Sequence, residues 1–273
     1  MTIIRFGTVF EKHSANKQFM KNILFVFLLL LLSPGITAQE TAYKTGEHFT
    51  FKIHYGFFNA GFATLDLKKD VFKEKSLFHA IGKGWTTGVS RWFMRVNDLY
   101  ESYFDDNNTP QRFIRKIDEG GYTKDKELFF EPDKHKVLVI DRKKNTSKEY
   151  TIPEQIHDMV SVFYYLRNYD TTQLEPGDEI SVNMFFDEEI YPFKLKFLGK
   201  EVLRTPLGKI KSLKFRPLVQ SGRIFRENES LTIWVSDDKN KMPLLIKAKL
   251  LIGSLKASLI KYKGIKYPVE FQS

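Results

Sequence analysis

The 273-residue chain contains no cysteine. That excludes disulfides, thiolate metal sites and a lipid-modified cysteine at an N-terminal processing point. A chain without such crosslinks must be stabilised by its core. Long apolar runs are missing as well. The longest, residues 23–32, falls well short of the roughly 20 residues needed for a membrane-spanning helix. Histidine is scarce, at six residues, and none forms a His-x-His pair or a His-Glu-x-x-His helix motif, so the usual zinc-hydrolase signature is absent. No Gly-x-Ser-x-Gly elbow and no Walker-type loop occurs. Gly82-x-Gly84 followed by Thr87-Gly88 misses the dinucleotide fingerprint and lacks its βαβ setting. No cofactor and no metal is expected.

The first 38 residues do not read as folded protein. Met20-Lys21-Asn22, the apolar run 23–32, and Ser33-Pro34-Gly35-Ile36-Thr37-Ala38 have the order of a signal peptide: charged start, short apolar stretch, helix breaker, small residue. Cleavage is expected after Ala38. Residues 1–19 resemble no part of a signal, and translation is expected to begin at Met20. A periplasmic or secreted protein that is not a lipoprotein follows. The formal charge of +10 is compatible with anionic lipids or polysaccharides at an envelope surface. Lysines are spread along the chain, alternating with apolar residues, as on the wet face of a sheet. An exported chain is not expected to bind nucleic acid.

From Gln39 onward apolar and polar residues alternate. Phe49, Phe51, Ile53 and Tyr55 interleave with Thr50, Lys52 and His54, the pattern of a half-buried strand. Asn59-Ala60-Gly61 is read as the next turn. Further strands are predicted at 77–82, 95–104, 111–117, 122–131, 136–141, 147–152, 179–187, 190–197, 210–217, 230–235, 244–250 and 255–262. Glu119-Gly120-Gly121, Glu131-Pro132-Asp133, Asp187-Glu188-Glu189 and Thr205-Pro206-Leu207-Gly208 supply turn chemistry, and such short connections favour antiparallel neighbours. The 20 Phe that follow Ala38, with the 12 Tyr and 3 Trp, are the main source of core energy.

One helix is predicted at 153–167. Pro153 and Glu154 suit its first turn, and Ile156, Met159, Val160, Phe163, Tyr164 and Arg167 keep helical spacing. A shorter helix is expected at 87–94. The fold class is thus mainly β: one large twisted antiparallel sheet, or a half-open barrel or sandwich, with one main helix packed on it. Residues 39–273 read as a single β-rich domain.

Candidate chemistry is sparse. Ser161 follows His157 by four residues, but a mid-helix serine lacks free backbone donors for an oxyanion. Asp105-Asp106-Asn107-Asn108 lacks the spacing of a calcium loop and reads as a turn. Glu119, Asp158, Glu201 and Asp237 are the carboxylates open to a hydrolytic pair. The ligand-binding candidates are Arg112, Glu119, Asp158, Tyr164 and Arg167.

The order of motifs resembles a known bacterial family. Gly46-Glu47-His48-Phe49-Thr50-Phe51 with Ala60-Gly61-Phe62-Ala63, Asn97-Asp98-Leu99-Tyr100-Glu101, Glu119-Gly120-Gly121-Tyr122, His157-Asp158-Met159-Val160-Ser161, and Trp234-Val235-Ser236-Asp237-Asp238 before Met242-Pro243 are its landmarks. The chain is similar to the exported domain-of-unknown-function family 3108. The resemblance implies an envelope protein with a twisted sheet or half-barrel and implies no reaction.

Three functions fit these features. A non-enzymatic binding or accessory module would take a lipid or glycan in an aromatic-rich groove. A hydrolase of envelope polymers would need converging carboxylates. A structural protein would bind another envelope protein by β-augmentation, with strand 255–262 as the exposed edge. The processing expectation is checked by intact mass and N-terminal sequencing of protein recovered from the envelope: the chain should begin at Gln39, and retention of residues 1–38 would refute the signal peptide.

Overall fold

The structure is a computed structural model that describes residues 40–93, 95–218, 231–250 and 253–272. The chain from Thr41 onward folds into a long antiparallel meander. Its first run is β1 (His48–Tyr55), β2 (Phe58–Phe72), β3 (Lys75–Thr86), β4 (Asn97–Phe104), β5 (Pro110–Glu119), β6 (Tyr122–Glu131), β7 (Lys136–Asp141) and β8 (Thr146–Thr151). The second is β9 (Glu179–Phe186), β10 (Glu189–Thr205), β11 (Gly208–Leu218), β12 (Leu231–Ser236), β13 (Pro243–Lys249) and β14 (Ser254–Lys263). β14 returns to pair with β1, so the two runs join into one sheet ending in β8 and β9, and β15 (Phe271–Gln272) adds to β11. Two α-helices are described: α1 (Ser90–Phe93) between β3 and β4, and α2 (Ser161–Arg167) between β8 and β9.

The ladder does not close into a barrel, but its two edges are tied together. Residues 152–158 leave β8 and make one parallel bridge, His157 to Met184, with His157 N donating to Asn183 O (3.0 Å) and Phe185 N to His157 O (2.8 Å). Three residues beyond Met184, the β9–β10 turn carries Asp187 and Glu188. Arg115 and Lys124 pair with Asp187 at 2.7 and 2.9 Å, while Lys126 and the Tyr150 hydroxyl engage Glu188.

α2 lies across the concave face at one end. Tyr164 packs with Leu67, Phe78, Ala80 and Phe104. Leu166 packs against the cluster of Leu213, Phe215 and Phe197, and Met159 and Val160 against that of Phe113 and Phe130. Each partner strand presents every second residue to the helix, which is why alternation in the sequence becomes one apolar face.

Arg167, the last residue of α2, fixes this arrangement. Its side chain is 2% exposed and that of Glu47 is fully buried. Nη1 and Nη2 donate to the two Glu47 carboxylate oxygens at 2.5 and 2.8 Å. Nε donates to Asn240 O at 2.9 Å, and Nη2 also reaches Ala42 O at 3.3 Å. The rings of Tyr43, Phe49, Phe163 and Tyr164 surround the guanidinium at 5.4–5.6 Å. One side chain thereby joins the helix, the residues leading into β1, and the β12–β13 turn. Close by, Gly264 (φ +66°) leaves β14 so near β1 that a Cβ would stand 2.0 Å from Gly46 O.

Three expectations are corrected. The helix expected at 153–167 is only Ser161–Arg167, because the backbone of His157 pairs with β9 and the Asp158 side chain opens the helix. Strand 255–262 is no edge: β14 lies between β1 and β13. The first hairpin turns at Gly56 and Phe57, and Asn59-Ala60-Gly61 belongs to β2.

Arg167→Met should strand the Glu47 charge in the core and cost about 3–5 kcal/mol. This should appear as a lower urea midpoint at unchanged slope. Glu47→Leu/Arg167→Met should recover part of the loss. A single variant that unfolds at the wild-type midpoint would show that the pair carries no stability.

Candidate functional site

The five residues expected to bind ligand do not gather. Asp158, Tyr164 and Arg167 lie together at α2, all buried. Arg112 sits on β5 with its side chain directed the other way from Phe113, paired with Glu127 and surrounded by Phe72, Tyr103 and Phe129. Glu119 ends β5 at the opposite rim, where burial, and then the neighbouring Asp98 charge, hold its carboxyl above the usual range. The other hydrolytic candidates are bound in local pairs. The Trp234 indole donates to Glu201, Lys214 stands 3.6 Å from the same carboxylate, and Lys200 is 3.2 Å from Asp237.

Asp158 acts as a helix cap. Its Oδ1 accepts from Val160 N and Ser161 N at 2.7 and 2.8 Å, and its Oδ2 accepts from Ser102 Oγ at 2.6 Å. Burial lifts its pKa to about 6 against the opposing pull of those donors. His157 beside it is held at about 4 by burial, despite a 3.1 Å hydrogen bond from Nδ1 to Asn108 O. Ser161 Oγ accepts from Asp158 N at 2.9 Å and is enclosed, so it is not arranged as a nucleophile toward His157.

His79 escaped sequence reasoning. It is buried between Asp70 (Nδ1, 3.0 Å) and Glu101 (Nε2, 2.6 Å) and stacks on Tyr103 at 3.9 Å. Both ring nitrogens are engaged, so neither is offered to a substrate. The signal available beforehand was its register: it lies between Lys68 and Tyr103 on three consecutive strands.

Two recesses stand out among the described residues. A polar cleft of about 740 Å³ opens beside α2, lined by Lys73, Lys75, Asp105, Glu131, His157 and Asn183 among others. The second is the concave face beyond the helix, toward the β1–β2 turn. Register places Phe215, Ile233, Ile246, Ala257 and Ile53 in one row across five strands. Ala63 and Gly84 continue the same face. Near the helix this face is sealed: Phe49, Leu213 and Leu259 have no exposure. Beyond it Ile233, Ile246, Ile53, Ala63 and Gly84 are only half-buried. A Cβ on Gly84 would meet nothing within 4 Å. The facing wall is charged, with Arg115, Lys124 and Lys126 held by Asp187 and Glu188.

A strongly curved antiparallel sheet with a helix sealing one end and an apolar recess at the other defines a β-barrel-like protein. The chain belongs to the family described as protein of unknown function DUF3108, which matches residues 50–260. A β-barrel-like protein of the DUF1849 family from Brucella abortus superposes with a TM-score of 0.56 at 8% identity, over 82% of this chain and 100% of its own, and shares the fold. A DUF1089 family protein from Pseudomonas aeruginosa gives a TM-score of 0.37 at 9% identity, over 70% of this chain and 90% of its own. A protein from Bacteroides fragilis described as a candidate exported protein of YmcC-like fold gives 0.30 at 9% identity, over 81% and 97%. No curated protein matches the chain. Among the described residues no helix is long and apolar enough to cross a membrane.

The His157–Asp158 pair makes opposed contributions to pH stability. His157 has a folded pKa below its unfolded value, so its contribution is lost as pH falls from 6.5 toward about 4. Asp158 has a folded pKa above its unfolded value, so its contribution is present below 3.8 and lost as pH rises through about 6. His157→Asn should therefore gain stability relative to wild type between pH 6.5 and 4, and Asp158→Asn should lose it. Each change should be roughly 3 kcal/mol, at 1.36 kcal/mol per unit. Denaturant curves across that range check the signs, and parallel pH profiles for the three proteins would contradict the assignment.

Proposed function

We propose that this is an exported envelope protein that binds an amphiphile without chemical conversion, taking its acyl portion on the open part of the concave face. One observation carries the reading: the apolar face continues past the end of α2, where Ile53, Ile233 and Ile246 lose their cover. Apolar side chains left half-exposed in a recess gain free energy when an apolar ligand replaces water, at about 25 cal/mol per Å². Small residues make the room. Ala63 and Gly84 occupy inward positions on β2 and β3 where larger side chains would fill the bore.

The charged wall supports an amphiphile over a plain hydrocarbon. Arg115, Lys124 and Lys126 line this wall beside Asp187, Glu188 and Asp141, and Arg115 Nε is a buried donor without a partner. An anionic headgroup would satisfy that donor. A hydrolase receives no such support, since Glu119 and Asp158 lie at opposite ends of the sheet and Glu201 and Asp237 are each held by a lysine.

Native mass spectrometry of protein purified from envelope fractions should show a lipid-sized adduct, and the delipidated protein should bind a dansylated long-chain fatty acid. Gly84→Leu projects into open space, so the variant should fold while binding the probe about tenfold more weakly. A wild-type protein that is ligand-free and indifferent to the probe, or a Gly84→Leu protein that binds as well as wild type, would refute the reading.

A further inference from the structure

The rim around this recess carries bare aromatic side chains. Phe57 and Phe58, at the β1–β2 turn, are 102% and 75% exposed. Trp92 and Phe93, in α1, are 88% and 86% exposed, and Val89 precedes them at 68%. These lie on one local surface. Ser90 Oγ donates to Asn59 O at 3.1 Å and Thr87 N to Ala60 O at 3.1 Å, which holds α1 against the strand that leaves Phe58. Gly56 N donates to Ser254 O at 2.9 Å, which brings the end of β14 alongside.

A basic collar stands behind these tips on the convex face. Lys247 is directly opposite Lys256, and Lys256 directly opposite His54, on adjacent strands. Lys52 lies two residues before His54 on β1, and burial together with Lys52 and Lys256 pushes His54 below its ordinary pKa. Like charges facing each other across a ladder destabilise it. Arg91 and Lys249 add exposed cations at the rim itself. Arg95 is already engaged by Asp118 at 3.5 Å, and Glu119, bridged to Val96, brings one carboxylate close behind α1.

We infer that this rim docks onto an anionic lipid bilayer, with Phe57, Phe58, Trp92 and Phe93 entering the headgroup region and the basic collar facing the lipid phosphates. The chemistry of the surface selects this occupant. Aromatic rings with lysine and arginine behind them match the membrane–water interface. A protein partner would need a flat, packed patch with a covered centre. These side chains instead project singly from two turns, a shape suited to a fluid surface. The inference is independent of what the concave face holds, although it would present the mouth of the recess to the bilayer.

The test is co-sedimentation of the full chain with phosphatidylethanolamine–phosphatidylglycerol vesicles, with phosphatidylcholine vesicles as the neutral arm. Wild type should bind the anionic vesicles and bind the neutral ones more weakly. Its tryptophan emission should shift to the blue, and Trp92→Phe should remove the shift while leaving binding largely intact. Phe57→Ser/Trp92→Ser/Phe93→Ser should bind about tenfold more weakly with an unchanged melting curve and unchanged affinity for the dansylated fatty acid. Lys52→Gln/Lys247→Gln/Lys256→Gln should lose the preference for anionic vesicles. Gly84→Leu should sediment like wild type, which separates this inference from the acyl-binding reading. Failure of wild type to bind either vesicle, or wild-type binding by the aromatic triple variant, would overturn it.

Discussion

Burying a guanidinium and a carboxylate costs several kcal/mol per ion before any contact is made, and only dense hydrogen bonding offsets that cost. The Arg167–Glu47 pair meets the requirement with four donor contacts to two kinds of acceptor and a shell of four aromatic rings. An apolar pair of similar volume would hold the helix equally well in energy. It would not specify which carbonyls the helix end must face. Because Arg167 reaches Asn240 O and Ala42 O as well as Glu47, α2 has one seat, and that seat is defined jointly by the first and the late strands of the sheet. The seat of α2 is complete only where β14 pairs with β1 and closes the two runs of strands into one sheet.

That closure has a consequence for shape. A meander of fourteen paired strands could lie as an open twisted sheet, yet its edges are drawn together by two successive ties along β9. The first is backbone: residues 152–158 add a short parallel bridge at Met184. The next, three residues on at the β9–β10 turn, is ionic, between Asp187, Glu188 and the cations of β5 and β6. Side-chain ties are longer and more yielding than a ladder. The bore therefore stays sealed where Tyr164 and Phe104 fill it and open where Gly84 and Ala63 leave it unfilled.

Much of this was legible in the chain. Alternation located nearly every strand, since each has one wet face and one dry face and the period of two follows directly. The turn at Gly120-Gly121 is legible from residues that tolerate positive φ, whereas Asp187-Glu188 shows only as a polar break between two alternating runs and adopts positive φ without glycine. The errors share one cause. Residues 153–160 carry a helical spacing of apolar residues, but whether they wind depends on an unpaired edge of β9 more than twenty residues onward, which local pattern does not report. The placing of 255–262 at an edge failed similarly: an alternating strand reads the same whether one or both of its sides are paired. Arg167 and Asp158 were singled out as candidates, yet their common role in seating and capping α2 needs Glu47, Ser102 and Asn240, none adjacent in sequence. His79 was invisible because its two carboxylates come from two other strands.

The two ends of the molecule spend their polar residues differently. Around α2 nearly every buried polar group has a partner: Asn168 Nδ2 donates to Asn108 Oδ1, Asn108 Nδ2 to the Tyr43 hydroxyl, and Asn240 Nδ2 to Tyr267 O. Such satisfied networks rigidify a core and are costly to disturb. At the other end lysines oppose one another, Arg115 Nε lacks a partner, and aromatic rings stand in water. Each of these is unfavourable in the isolated chain. Folding stability does not account for the facing lysines or the bare rings, because substituting any one of them by a neutral polar residue would relieve a cost without breaking the core. Their concentration at the open end, against a sealed end where the Tyr164 hydroxyl is the buried group left without a partner among the described residues, is the distribution expected when one end holds the fold and the other meets a surface that supplies anions and apolar matter together.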